Sequence, residues 1–181
     1  MSDRSLSIDG VQVPRVLYGT AWKEDKTQRL TELALQHGFR GIDTANQRRH
    51  YDEAAVGWAV SAAIESGLLV RDDLFLQTKF TFRRGQDHRL PYDPGASIAV
   101  QVEQSFASSL QHLGVKMIDS YLLHGPMQRT GLTGADWAAW RAMELIHDSG
   151  RTRLLGASNV TLEQLQRLCQ DARVRPRFVQ N

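Results

Sequence analysis

Leu74-Phe75-Leu76-Gln77-Thr78-Lys79-Phe80 is an apolar run of strand length that carries a lysine near its far end. The chain has four lysines against 18 arginines, so the place of each lysine is informative. A lysine at the end of a buried strand is costly unless a carboxylate compensates it. The neighbouring runs repeat the design. Gly41 to Thr44 carries Asp43 near its end, and Met117 to Leu123 is followed at once by His124, just before Gly125-Pro126. Polar, chemically able residues thus stand at the C-terminal ends of three successive apolar runs.

Working outward, Val16 to Gly19, Leu154 to Ala157 and Phe178 to Gln180 complete a set of six candidate strands. The intervals carry apolar residues at three- and four-residue spacing, as in Leu30, Leu33 and Ala34, or Ile98, Val102, Phe106, Leu110 and Leu113, and read as amphipathic helices. Gly38, Gly67, Gly114 and Gly150 stand where such helices should stop. Strict alternation of strand and helix calls for an α/β class with a parallel sheet, because parallel neighbours need a crossover connection. Periodicity leaves an open doubly wound sheet and a closed barrel both available. The polar strand ends, in a chain with no glycine-rich fingerprint after its first strand, favour the barrel, whose sites gather at that rim. Ahead of it, Leu6 to Ile8 and Val11 to Val13 alternate in polarity around Asp9-Gly10 and predict a β-hairpin. The expected organisation is one domain over 1–181, with the hairpin in 1–14 and strands one to six in 15–181.

The 181 residues, 41% hydrophobic and 23% charged, suffice for one domain with a core. The opening MSDRSLSIDG has no apolar signal region, and no run approaches the ~18 apolar residues of a membrane helix, so the expectation is a cytoplasmic chain with no membrane partner. The net charge is +2, but the basic residues are spread along the chain rather than gathered in a stripe, which argues against nucleic acid. Cys169 is the single cysteine and falls in a helical pattern, where a half-buried packing role is expected; no disulfide, redox or metal framework follows.

The segment Asn46-Gln47-Arg48-Arg49-His50-Tyr51-Asp52-Glu53 leads from Asp43 into a helix. Taken singly, Asp43 reads as a strand-end cap, Tyr51 as a packing aromatic, and Lys79 and His124 as paired or packed polar groups. Their occurrence together at successive strand ends points to chemistry. The reaction that needs such a set is hydride transfer to a carbonyl with protonation of its oxygen. A tyrosine, with a usual pKa of ~10, releases its proton more readily beside a lysine ammonium, so Tyr51 is read as the acid and Lys79 as its perturber. Asp43 holds Lys79 and compensates its charge, and His124 orients and polarises the carbonyl. The hydride must come from a cofactor, since no side chain supplies one.

The segments Leu17 to Lys23, Gly38 to Ala45, Gln77-Thr78-Lys79, Tyr121 to His124, Gly156 to Asn159 and Val179-Gln180-Asn181 resemble, in order and along the chain, the aldo-keto reductase family. The resemblance implies a (β/α)8 barrel that uses NADPH to reduce a small-molecule aldehyde or ketone, with the family's tetrad falling on Asp43, Tyr51, Lys79 and His124. It also implies that Ser158, Asn159 and Gln180, with Asp43, hold the nicotinamide end, and that Gly19, Thr20 and Trp22 line the surface near the ring. The chain departs from the family pattern twice. The family's tyrosine stands where this chain has Arg48, so Asn46 to His50 reads as carrying a three-residue insertion that moves the acid to Tyr51. The chain also ends at Asn181, inside what resembles strand six, whereas such a barrel takes ~250 residues and eight strands. The expected fold is therefore a barrel incomplete at its C-terminus, without the family's residues for the adenosine 2′-phosphate. The rival reading is an inactive truncated or domain-cut barrel that keeps the motifs, and a third is an unrelated barrel enzyme. Arg83, Arg84, His88 and Arg89, in the loop Thr81 to Gly95, would suit an acidic substrate if they face the mouth and are otherwise a solvated face. Asn159-Val160-Thr161 matches a glycosylation sequon without a secretion signal to give it meaning.

Overall fold

Asp9 and Gly10, with φ of 48° and 80°, turn the chain between β1 (Ser5–Ile8) and β2 (Val11–Pro14), which pair antiparallel from Ser5 opposite Pro14 to Ile8 opposite Val11. The structure, a computed structural model, describes residues 4–181, so the first three residues of the segment 1–14 lie outside the described part. Strand and helix then alternate: β3 (Tyr18–Gly19), α1 (Thr27–Gln36), β4 (Gly41–Asp43), α2 (Glu53–Glu65), β5 (Phe75–Phe80), α3 (Ile98–Leu113), β6 (Ile118–Leu123), α4 (Gly134–Asp148), β7 (Thr152–Ser158), α5 (Leu162–Asp171) and β8 (Phe178–Gln180). The six strands β3 to β8 lie side by side in chain order, all parallel, with β3 and β8 at the two edges among the described residues.

Two strands differ from the expected runs. β3 pairs over two residues only, and Val16, expected inside it, is 62% exposed. β7 starts two residues earlier than its apolar run, because the ladder with β6 begins at Ile118 opposite Thr152; a threonine and an arginine hid that start from the hydrophobic pattern. The helix stops follow the sequence closely, with Gly38, Gly67, Gly114 and Gly150 all at φ between 67° and 88°. Gly114 is itself the left-handed C-cap of α3, whereas Gly38, Gly67 and Gly150 each follow a C-cap of another type, His37, Ser66 and Ser149. Asp52, accepting from the Ala55 amide at 3.1 Å, caps α2 and so fixes where the residue before it must stand.

The main core lies between sheet and helices, with Ile42, Val56, Phe80, Phe106, Tyr121, Trp140 and Leu155 among its fully covered side chains. Gly57 lets α2 and α3 touch: a side-chain carbon there would sit 1.9 Å from the His112 carbonyl oxygen. A second cluster joins the hairpin to the N-terminal ends of the strands, where Val11 and Val13 pack on Phe75 and Leu154. Burying two valines contributes roughly 1.5–3 kcal/mol each, enough to hold the hairpin as a cover over that end. The opposite, C-terminal end is left to polar side chains. Cys169 is half-buried in α5, and among the described residues no helix is long and apolar enough to cross a membrane.

Candidate active site

Parallel register sets Asp43 opposite Gln77 and Gln77 opposite Ser120, on three adjoining strands. Their side chains bond in a line across the sheet: Ser120 Oγ donates to Gln77 Oε1 at 2.9 Å, and Gln77 Nε2 donates to Asp43 Oδ1 at 2.8 Å. Gln180 Nε2, from β8, donates to Asp43 Oδ2 at 2.9 Å. Lys79 stands two residues beyond Gln77 and therefore on the same face of β5. Its Nζ donates to Asp43 Oδ1 at 2.5 Å and to the Thr44 carbonyl at 2.9 Å. Lys79 is 1% exposed and Asp43 5%, so the charges compensate each other away from water. Gln77 and Ser120 are not among the site residues expected from the sequence; the alternation of Gln77 with Lys79 in an otherwise apolar run is the signal that both point inward.

The segment between β4 and α2 is fastened to α3 and to the loop after β5. Asn46 Nδ2 donates to the Ser105 carbonyl at 2.9 Å, Gln47 Nε2 to the Gly85 carbonyl at 2.8 Å, and Gln86 Nε2 to the Asn46 carbonyl at 2.8 Å. The chain then folds back, with the Tyr51 amide on the Gln47 carbonyl at 3.1 Å. This turn brings Tyr51 to Lys79, while Arg48 stays exposed. The Lys79 Nζ lies 5.4 Å from the centroid of the Tyr51 ring, and the His124 ring meets that ring edge-on at 5.8 Å and 71°. Asp43, Tyr51, Lys79 and His124 thus converge at one end of β4, β5 and β6.

Electrostatics differ from the expected perturbation at one point. Burial, and then the Asp43 carboxylate, push the Tyr51 hydroxyl up to about 12 rather than down. The reason is that Lys79 does not act alone: Asp43 at 2.5 Å cancels most of its field at the tyrosine, leaving desolvation to dominate. Burial likewise pulls the Lys79 ammonium below its usual value, against the opposing pull of Asp43. His124 is lowered to about 4 by burial and then by Lys79, so its imidazole is neutral near pH 7. Its Nδ1 lies 2.7 Å from Thr81 Oγ1. With the threonine hydroxyl donating to Nδ1, the imidazole proton sits on Nε2.

The remaining candidates frame the same rim. Gly19 ends β3, and Thr20, fully buried, donates its hydroxyl to the Asp43 carbonyl at 2.9 Å. Trp22, at φ 60° and 68% exposed, lies against the His50 ring at 3.6 Å. Ser158 stands opposite Gln180 in the β7–β8 ladder and donates its hydroxyl to the Gln180 carbonyl at 2.6 Å. Asn159, at φ 54°, donates to the His124 carbonyl at 2.7 Å, so the amide of the sequon is committed to the site. Gln180 shares its amide between Asp43 and Gln77, which joins the nicotinamide candidates to the tetrad residues. Ser158, Asn159 and Gln180 are thus bonded to one another and to His124, Asp43 and Gln77 at neighbouring strand ends.

Comparison with known proteins gives this arrangement a lineage. A family model described as the aldo/keto reductase family matches residues 16–181. The chain belongs to the aldo/keto reductase family. It is 31% identical over 180 residues to aldo-keto reductase AKR2E4 of Bombyx mori, covering 93% of this chain and 54% of that protein. It is 30% identical over 170 residues to the uncharacterized oxidoreductase YtbE of Bacillus subtilis (strain 168), with 93% and 54% covered. The crystal structure of the Bombyx mori reductase AKR2E4 in complex with NADP matches with a TM-score of 0.79 at 27% identity, over 97% of this chain and 56% of that one. The chain therefore spans about half the length of the reductases it matches, and its six parallel strands follow the (β/α)8 barrel of these structures over that half.

Proposed function

We propose that this chain carries the reaction centre of an NADPH-dependent reductase that converts an aldehyde or ketone to an alcohol. The observation that carries the reading is the meeting of Asp43, Tyr51, Lys79 and His124 at one strand-end rim in a member of this family. Related reductases crystallised with NADP and NADPH support the choice of cofactor. The nicotinamide cofactor, when bound, supplies the hydride. Ser158, Asn159 and Gln180 would hold its carboxamide, and Gly19, Thr20 and Trp22 would line the surface beside it.

Neutral His124 donates its Nε2 hydrogen to the carbonyl oxygen and orients it. Tyr51, held up at about 12, keeps its proton throughout the physiological range. It gives that proton up as the carbonyl oxygen becomes an alkoxide, whose alcohol is about as weak an acid as water at ~16, so the transfer runs downhill. Lys79 lies beside the Tyr51 ring and offsets only part of the burial cost of the phenolate left there, because Asp43 fixes Lys79 and compensates its charge.

The test is NADPH binding, followed by nicotinamide fluorescence and thermal melting, together with aldehyde reduction by the wild type and Tyr51→Phe. Saturable binding with reduction that falls by about 10²–10⁴ in the variant is expected. Reduction that survives Tyr51→Phe would remove Tyr51 as the acid. A protein that neither binds NADPH nor melts cooperatively would favour the rival reading of an inactive chain that keeps the motifs.

A further inference from the structure

Next to His124 lies a cavity of about 240 Å³ whose wall includes Gln47, Thr81, Phe82, Arg84 and Asn159. Besides neutral His124, Arg84 is the one ionisable side chain lining it, and no carboxylate does. The Arg84 guanidinium donates to the Pro126 carbonyl. That bond spends one of its five N–H groups on a neutral acceptor and fixes the plane of the rest. Among the described residues no Asp or Glu pairs with Arg84, nor with Arg48, Arg49 or Arg83 on the same two loops, whereas Arg71, Arg151, Arg173 and Arg177 elsewhere all have carboxylates within 2.6 Å. The acids on these loops are otherwise engaged: Asp87 pairs with Arg89, Asp52 caps α2 and Asp93 accepts from the Gly95 amide. The loops are tied together by Gln47 on Gly85 and by Arg89 Nη2 on the Arg48 carbonyl at 2.6 Å, so the positive rim is a fixed feature.

We propose that the substrate is a short carbonyl compound bearing a carboxylate, which Arg84 receives while the carbonyl lies at His124. The carbonyl half of this inference rests on the reductase reading above. A planar guanidinium with free N–H groups matches a carboxylate in a charge-assisted, two-point contact. The cavity is smaller than the ~300–1,000 Å³ of pockets that enclose drug-sized ligands, which fits a short chain between the two ends. Arg48, Arg49 and Arg83, exposed around it, raise the local concentration of an anion without touching it.

The experiment compares 4-oxobutanoate with butanal in NADPH-dependent reduction by the full chain, and measures calorimetric binding of succinate, which has no carbonyl to reduce. The wild type is expected to favour 4-oxobutanoate in kcat/KM by at least about tenfold. Arg84→Gln should lower the ratio of the two substrates, and weaken succinate, by about 10- to 100-fold, the worth of a charge-assisted hydrogen bond, with Arg84→Lys recovering part. Equal use of both aldehydes, or succinate binding that is absent or indifferent to Arg84, would overturn the proposal while leaving the reductase reading in place. Arg84-dependent succinate binding in a protein that reduces neither aldehyde would support the anion site and remove the reductase reading instead.

Discussion

At the N-terminal ends of the strands, Asp119 accepts from Arg71 at 2.6 Å and from the Leu76 amide at 2.9 Å, with Arg153 at 3.7 Å, and Arg177 pairs with Asp9 of the hairpin turn at 2.6 Å. At the C-terminal ends, about 10 Å along β5 from Leu76 to Lys79, one buried pair, Asp43 with Lys79, has Tyr51, His124 and Arg84 around it, none of them ion-paired among the described residues. There the tyrosine is pushed up, the histidine is pushed down and, apart from Arg89 with Asp87, the arginines of two loops bond to carbonyls or face solvent. The same six strands therefore carry matched charge at one end and unmatched chemistry at the other. Matched groups gain nothing from a ligand and serve the fold; unmatched ones are poised for something to arrive, which is the division known for barrels of this kind.

Lys79→Met attacks that division hardest. It leaves the Asp43 carboxylate buried without its cation, which should cost about 3–5 kcal/mol in urea unfolding and abolish carbonyl reduction to within roughly a thousandth of its rate. Adding Asp43→Asn to Lys79→Met should return most of the stability and none of the activity. A single variant as stable as the wild type would mean that the pair is not shielded from water. Asp119→Ala probes the other end. It strips Arg71 and the Leu76 amide of their acceptor and should cost about 3 kcal/mol, while aldehyde kcat/KM stays within about twofold. A large loss of kcat/KM with little loss of stability would erase the contrast between the ends.

The strands, helices and hairpin were legible because their signals are local: apolar runs, three- and four-residue spacing, helix-stopping glycines and an Asp-Gly turn. β7 began earlier than its apolar run because hydrogen bonding to β6 sets a strand's start, and Thr152-Arg153 look like loop. Asp43, Lys79 and His124 stood out because a polar residue at the end of an apolar strand is anomalous. Tyr51 was singled out through the resemblance, by its place before the acidic helix start Asp52-Glu53, and Asp52 caps that helix. What the residues alone hid were relations across strands. Gln77 and Ser120 meet Asp43 only through parallel register, and Arg84 reaches the cavity only because its loop is pinned to Gln47 and Pro126. The direction of the Tyr51 shift was misjudged for the same reason: one lysine lowers a tyrosine, but a lysine neutralised at 2.5 Å does not.

The smallest effect sharpens the comparison by pH. His124 falls to about 4 in the fold, through burial and then Lys79, against 6.5 when free of it. Between those values the unfolded chain binds the proton that the fold refuses, so the contribution of His124 to stability is fully present above pH 6.5 and is lost as the pH falls toward 4. From pH 7 to pH 5 the loss from this group should be about 2 kcal/mol. His124→Asn, which cannot be protonated there, should flatten the slope of unfolding free energy over that interval by the same amount. A slope that survives the substitution would assign the acid sensitivity to other groups and would leave His124 solvated, in which case its neutral Nε2 donor would no longer be available below pH 6.5. If the slope does flatten, His124 is neutral and Tyr51 protonated together from about pH 4 to about pH 12, and the two donors of the rim are set by the same burial.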